Sequence, residues 1–422
     1  MTHSDNGHFF LPRMDKLAGS ANVAGTNSDF PVSKKDDKIP EIPIEIVSNE
    51  EMAWIEAALA SANSFSAVPA IRSPTSSPLF HENTRSIHSI TLLSKRRLSW
   101  CTEPDIEDSG NLVGSQKKSR LFESFLSRFR RKRSLSVSDL IQTEWCQKQM
   151  ELALRLGGRK TNEAMRAGIA RHLKLEEEVT KRVAVKVKSR EDYYALKLLN
   201  FINGVNRLRF EGLTRELRIM GFLQGIWMVG VIDEIRMPRT ENASNPILID
   251  TKTRTQDTFP AEPQRRNGRF QLMCYKYLWD NLVADNFPSE QFFDYFELNP
   301  QHTLCEDLRL TSAGYGSSLL TLDDVVRCYK NTHRMLTPAH DQLLLRYEFQ
   351  KDNSLIGEDK FAYDSEWLDS QIGSCLKFWV GEREATFVPE EERWKCRFCQ
   401  FVSDCPANIN THNDSNPFIK ES

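Results

Sequence analysis

Two acids and a lysine stand in sequence that ordinarily excludes charge. Asp233 lies in GVIDEIRM, and Asp250 and Lys252 lie in ILIDTKTR. Both segments read as strands, and the period of two puts Asp250 and Lys252 on one face. A carboxylate and an ammonium side by side, opposite a second carboxylate, suit phosphodiester hydrolysis. Two acids can hold Mg²⁺ or Mn²⁺ through oxygen and leave positions for water and a phosphate. Such a metal lowers the pKa of its water and neutralises charge on the phosphoryl oxygens, while the lysine orients or deprotonates the attacking water. Acid–lysine pairs also occur as exposed cross-strand ion pairs. Here Val231, Ile232, Ile247, Leu248 and Ile249 flank the acids. Buried charge is costly unless paired or metal-bound.

Downstream, Gln271 and Tyr275 are four apart and share a helical face. Arg254, Arg265, Arg266 and Arg269 surround the intervening loop and are candidate phosphate contacts, because guanidinium binds phosphate bidentately. A second constellation lies near the C-terminus in WKCRFCQFVSDCP, where Cys396, Cys399 and Cys405 are spaced C-x₂-C-x₅-C. Three thiols so close suggest an iron–sulfur or zinc site, which needs a fourth ligand. Cys146, Cys274, Cys305, Cys328 and Cys375 are all available by spacing.

The elements that must position these groups begin near residue 134. SVSDLIQTEWCQKQMELAL reads as a helix capped by Ser136 or Ser138, and 161–178 as a second helix carrying Gly168, His172 and Glu176. Strands follow at 216–223 and 226–237, joined at Gln224-Gly225, with a third at PILIDTKTR. A polar, basic loop then leads to a helix over 269–282. The expected fold class is a mixed α/β core.

Residues 1–133 are rich in Ser, Asn, Pro and charge and are expected to be mostly disordered, with a short helix at 48–62. That helix starts at the capping pair Ser48 and Glu51, ahead of Met52, Ile55 and Leu59. The region ends in the basic run Arg130-Arg131-Lys132-Arg133, which reads as a nuclear address, a DNA-backbone contact or a solvated charge run. The domain is expected at 134–406, with a disordered tail at 407–422. The 422 residues carry 27% charged and 40% hydrophobic side chains at a net charge of -2. Nucleic-acid binding would therefore depend on local clusters of Lys and Arg. No run of eighteen apolar residues suggests a membrane span. No secretory signal pattern is expected, and nine cysteines read as reduced thiols or metal ligands rather than a disulfide scaffold.

The series GIARHLKLE, GVIDEI, DTKTR and QLMCY resembles the motif string of RecB-like PD-(D/E)XK nucleases. Gly168, His172 and Glu176 match the family's G-x-x-x-H-x-x-L-E motif, and Asp233 its metal-binding acid. Asp250 and Lys252 match (D/E)-x-K, and Gln271 and Tyr275 match Q-x-x-x-Y. Many members carry Glu where Asp250 stands, and either acid can ligate metal. The resemblance implies a restriction-endonuclease-like α/β core with flanking helices, catalytic Asp233, Asp250, Lys252, Gln271 and Tyr275, and a metal held by Asp233, Asp250 and His172.

Over 134–406 the chain is similar to the exonuclease V, or defects-in-morphology, family. That resemblance points to Cys146 as the fourth ligand, beside Cys396, Cys399 and Cys405, of a [4Fe–4S] cluster. It implies a Mg²⁺-dependent, single-strand-specific DNA exonuclease in DNA repair or genome maintenance. A monomer is expected, in the nucleus or in a mitochondrion or plastid, with a single-strand DNA-binding protein as a candidate partner. No Walker A sequence is present, so no ATP-driven motor is expected. Candidates for a basic channel are the 254–269 loop and the 186–215 region with Arg207, Arg209 and Arg215. The alternatives are a structure-specific DNA or RNA endonuclease, and a non-catalytic DNA-binding module on a degenerate nuclease fold.

Overall fold

The structure is a computed structural model that describes residues 44–64, 123–158, 161–238, 245–312 and 319–409. The expectations for the rest of the N-terminal region and for 410–422 lie outside the described residues.

The stretch expected to precede the domain contributes to it. Strand β1 (Ile44–Ser48) leads into helix α1 (Asn49–Ser64), whose Glu51 N–H is capped by the Ser48 hydroxyl at 3.1 Å. A short helix α2 (Phe125–Phe129) follows and stacks Phe125 on Phe378 at 4.8 Å. Two residues of the basic run behind α2 form ion pairs within the fold. Arg130 makes a bidentate pair with the buried Asp139 at 2.7 and 3.0 Å, and Lys132 pairs with Glu297 at 2.6 Å.

Strand β2 (Leu135–Ser136) runs into helix α3 (Val137–Trp145), opened by a capping box between Ser136 and Asp139. The single helix expected from Ser136 onward is in fact two. Cys146 adopts an extended backbone (φ −169°, ψ 112°) and restarts the chain as helix α4 (Gln147–Leu156). Its thiol accepts the Gln149 N–H at 3.4 Å, so a cysteine serves where Ser or Asp usually caps. Local propensity favours one continuous helix; the break turns Cys146 toward the C-terminal cysteines.

Helix α5 (Glu163–Glu177) carries His172 and is followed by strand β3 (Lys181–Val185), which pairs in parallel with β1. The long helix α6 (Arg190–Glu211) ends at Gly212 and turns into the antiparallel hairpin β4 (Leu213–Leu223) and β5 (Ile226–Arg236). The hairpin turns at Gln224 and Gly225, both at positive φ. Strand β6 (Ile247–Arg254) lies between β5, antiparallel, and β7 (Gln342–Phe349), parallel. The apolar run Ile247–Ile249 suits that central position.

Helix α7 (Glu262–Val283) begins one full turn or more before the expected 269. Pro263 stands in its first turn, where a missing N–H costs nothing, so the basic loop is shorter than its composition suggested. Helices α8 (Ser289–Tyr295), α9 (Glu306–Ser312) and α10 (Leu322–His333) lead to β7. Strand β8 (Leu355–Ala362) closes the far edge of a six-stranded mixed sheet, and helix α11 (Ser365–Trp379) follows. The C-terminal cysteines sit on short 3₁₀ segments and before helix α12 (Pro406–Ile409). One apolar cluster joins both faces of the sheet to α6, α7, α10 and α11. No helix among the described residues is long and apolar enough to cross a membrane.

His333 supplies a pH test of this core. Its ring is fully buried and edge-on to Tyr329 at 5.4 Å. Burial lowers its pKa from 6.5 to about 4, against the pull of the Asp285 carboxylate. The unfolded chain therefore binds a proton between those values that the folded chain refuses. The associated stability is complete above about pH 6.5 and is lost as pH falls toward about 4. Thermal melts across that window should show a falling Tm in the wild type and a flatter slope in His333→Leu.

Candidate active site

The site is built on the two central strands. Asp250 is fully buried on β6 opposite Leu345 of β7, and Lys252 lies two residues on. The Lys252 ammonium donates to Asp250 Oδ1 at 3.0 Å and lies 2.8 Å from its Oδ2. It also donates to Gln271 Oε1 at 2.7 Å. The Gln271 amide in turn donates to the Tyr275 hydroxyl at 2.8 Å. The acid–lysine motif on β6 and the Gln–Tyr pair on α7 thus form one hydrogen-bonded chain. Tyr275 can reach it because residue 230 is glycine: a Cβ there would lie 2.6 Å from the tyrosine ring.

Asp233 comes from the neighbouring strand. Its Oδ2 accepts the Thr251 backbone N–H at 3.0 Å, which ties it to the residue between Asp250 and Lys252. His172 reaches in from α5. Its Nδ1 lies 2.9 Å from Glu216 Oε1 and 3.6 Å from Asp233 Oδ2, and its Nε2 lies 3.1 Å from the Thr251 carbonyl oxygen. Helix α5 approaches β6 closely at Gly168, where a Cβ would sit 3.1 Å from Thr253 Oγ1.

The donors His172, Glu216 and Asp233 have ligand atoms within 4.8 Å of one another. This set fits a hard divalent cation in its chemistry, with carboxylate and carbonyl oxygens beside one imidazole. A neutral imidazole has one N–H to share, yet both ring nitrogens of His172 face acceptors. Either an imidazolium, donating from both nitrogens, or a cation beside one ring nitrogen resolves that conflict. Sequence alone does not single out Glu216, which reads as an ordinary strand residue. The available signal is two consecutive polar residues, Arg215-Glu216, interrupting the alternation of β4.

A cavity of about 620 Å³ opens over the site, lined by His172, Lys252, Arg254, Gln264, Gln350 and Phe398 among others. Arg254 is the one expected phosphate contact among its lining residues. The other three lie outside its lining and pair with acids. Arg265 pairs with Glu262 at 2.5 Å, Arg266 with Glu144 and Glu392 at 3.1 and 2.8 Å, and Arg269 with Asp359 at 2.9 Å. The 186–215 arginines also have partners among the described residues. Arg207 is buried and donates to Thr180, and Arg209 donates to Met335 Sδ at 3.3 Å. Arg215 donates to Glu234 at 3.0 Å and to the Leu175 carbonyl at 2.6 Å.

The cysteine constellation gathers residues remote from one another in sequence. Cys146 senses Cys396, Cys399 and Cys405 electrostatically, and burial together with those thiols holds its pKa above the usual thiol value. Burial also raises Cys396, with Cys399 and Cys405 adding to the effect. The Gln149 amide donates to Cys399 Sγ at 3.2 Å. Around the thiols, Lys395 lies over the Trp145 ring at 4.1 Å, and Trp394 packs edge-on to Trp145 at 5.8 Å. Cys274 and Cys375 are buried in the main core, Cys305 lies beside Asp192, and Cys328 is half-buried on α10.

Comparison of the sequence with known proteins points to a family. A family model described as "Exonuclease V - a 5' deoxyribonuclease" matches residues 124–246, 238–318 and 316–406. Exonuclease V of Danio rerio is 29% identical over 342 residues, covering 78% of this chain and 86% of that protein. A Candida dubliniensis protein named exonuclease V, mitochondrial, is 34% identical over 132 residues, 27% of this chain and 20% of its own length. One from Candida albicans is 33% identical over 61 residues, 14% of this chain and 10% of its own. The segments matched by the family model run through the strand-borne acids, the Gln–Tyr helix and all four gathered cysteines. The chain belongs to the exonuclease V family and is a DNA-hydrolysing nuclease.

Proposed function

We propose that the chain is a Mg²⁺-dependent exonuclease of PD-(D/E)XK type that degrades single-stranded DNA from a free end without ATP. The observation that carries this reading is the Lys252 ammonium fixed on the buried Asp250, with Asp233 and His172 alongside, beneath the open cavity. Asp233, Asp250 and His172 would hold the cation, with the Thr251 carbonyl oxygen facing the same space. When bound, a divalent cation supplies charge neutralisation on the phosphoryl oxygens and acidifies a water.

The protein's own groups supply the rest. Lys252, oriented by Asp250 and Gln271, presents an ammonium where negative charge develops in the transition state. Gln271 is itself held by Tyr275, so the lysine keeps its direction without reorganising during the reaction. Arg254 offers a guanidinium to the backbone phosphate at the cavity wall.

The path of the strand is read from Phe398. Its ring is 79% exposed and lines both the active-site cavity and a second cavity of about 270 Å³, which Trp145, Gln149 and Lys395 also line. An exposed aromatic between two clefts is placed to stack on an unpaired base. Phe398→Ala should weaken binding of a single-stranded oligonucleotide by about 1–3 kcal/mol, measured by fluorescence anisotropy in Ca²⁺. Phe398→Tyr should restore it.

We further propose that Cys146, Cys396, Cys399 and Cys405 ligate a [4Fe–4S] cluster. The reading is supported by Cys146 lying within electrostatic reach of Cys396, Cys399 and Cys405, and by the resemblance to the family. The proposed role is to clasp α3 and α4 to the C-terminal segment, so that Phe398, between two ligands, is held at the cleft.

A monomer is proposed. A strand kept open by a single-strand DNA-binding protein is a suitable substrate, in repair or genome maintenance. Two Candida relatives are named mitochondrial, and Arg130 of the candidate nuclear address is tied to Asp139, so mitochondrial DNA stands beside nuclear DNA as a proposed substrate.

The test is digestion of linear and circular single strands, the linear ones labelled at either end, with Mg²⁺. Loss of the linear strand alone supports the reading. Cleavage of the circle would place the enzyme among endonucleases instead.

A further inference from the structure

Glu216 stands at a break in β4. The ladder with β5 runs through Arg215↔Glu234 and resumes at Leu217↔Ile232 without a shift of register. Glu216 and Asp233 occupy the skipped positions, so two acids face each other across antiparallel strands, an arrangement that by itself destabilises a sheet. Glu216 also has a φ of 49°. That is the left-handed region, which a side chain rarely adopts and glycine enters freely. Two unfavourable features at one residue call for a third group that benefits. That group is His172, whose Nδ1 lies 2.9 Å from Glu216 Oε1.

We propose that Glu216 is a positioning residue for the metal site. Its carboxylate holds the His172 proton at Nδ1. The lone pair of Nε2 is thereby left facing the Thr251 carbonyl oxygen 3.1 Å away, a pair of acceptors whose repulsion a cation held by both would relieve. An imidazole so fixed is a better ligand, because its tautomer and ring direction are set before the cation arrives and the carboxylate raises its basicity. The left-handed backbone at 216 is the means of aiming the carboxylate at α5 rather than out of the sheet. The inference deepens the proposed metal-dependent reading and rests on it.

The strain allows a clean separation of roles. Glu216→Gly suits the left-handed backbone and removes the side chain with its carboxylate. Glu216→Gln keeps an acceptor oxygen for the Nδ1–H. Calorimetric titration of Mn²⁺ into full-length, anaerobically purified protein, with thermal melts of the same proteins before metal is added, is the experiment. Glu216→Gly should weaken Mn²⁺ affinity about 10–100-fold with the number of bound ions unchanged and Tm equal or higher. Glu216→Gln should recover most of the affinity. In His172→Ala, adding Glu216→Gly should cause no further loss.

Wild-type affinity in Glu216→Gly would overturn the proposal, as would the disappearance of a whole bound ion, which would make Glu216 a ligand itself. A wild type that binds no Mn²⁺ would overturn the metal reading first, and is distinguished by failing before any variant is compared.

Discussion

Asp250→Asn should lower single-turnover cleavage of single-stranded DNA by about 10²–10³-fold or more while leaving DNA binding nearly unchanged. The substitution keeps the volume of a fully buried side chain on the central strand, so the sheet has no cavity to absorb. What it removes is charge. Asp250 is both a proposed metal ligand and the anion that holds the Lys252 ammonium at 2.8 and 3.0 Å. Without it the lysine keeps only its bond to Gln271 and swings more freely. Stability should suffer little, because the Lys252 side chain is 28% exposed and its ammonium can find water. Breaking a fully buried pair would cost about 3–5 kcal/mol, which is the contrast to look for in the melts. Anisotropy with labelled oligonucleotide and rapid-quench cleavage separate the two effects.

Cys146→Ala should have the second large effect, on stability and cofactor content together. The residue ends α3, caps α4 and lies among the three C-terminal thiols. Four-ligand zinc sites contribute about 10–16 kcal/mol of binding free energy to folding, and losing one of four thiolates is expected to cost roughly 5 kcal/mol or more. The C-terminal segment would then rely on noncovalent contacts such as Lys395 and Trp394 against Trp145 and Glu392 with Arg266. Iron analysis should show loss of bound iron together with a large fall in Tm. Cys274→Ala, by contrast, should keep its iron, because that thiol lies wholly in the α7 core.

Much of the active site was legible because it depends on short, regular spacings. Asp250 and Lys252 meet through the two-residue period of β6, and Gln271 meets Tyr275 through one turn of α7. The strands themselves were marked by apolar runs on either side of the Gln224-Gly225 turn. What the sequence hid was set by tertiary partners. The acidic partners of Arg266 and Arg269, which are Glu144, Glu392 and Asp359, are remote in sequence and could not be read from it. Cys146 sat in good helical sequence, and only its approach to the distant thiols explains the break there. Glu216 left only the faint signal of the Arg215-Glu216 pair, because its placement depends on a left-handed backbone angle and on His172 from another element. Strand β1 and helix α1 were set apart from the domain by composition, yet the Asn200 amide bonds Ile46 at both its N–H and carbonyl, and Arg218 pairs with Glu51 at 2.7 Å.

The most direct test of the central claim, that Asp233, Asp250, His172 and Lys252 form a metal-dependent site that cuts DNA, is cleavage of a 5′-labelled single strand across a Mg²⁺ titration. Wild type and Asp250→Asn are compared at matched DNA occupancy. The predicted result is a wild-type rate that rises to saturation with Mg²⁺ and vanishes in EDTA, with Asp250→Asn bound to DNA but nearly inactive at every concentration. Full wild-type cleavage in EDTA, or wild-type rates in Asp250→Asn, would contradict it.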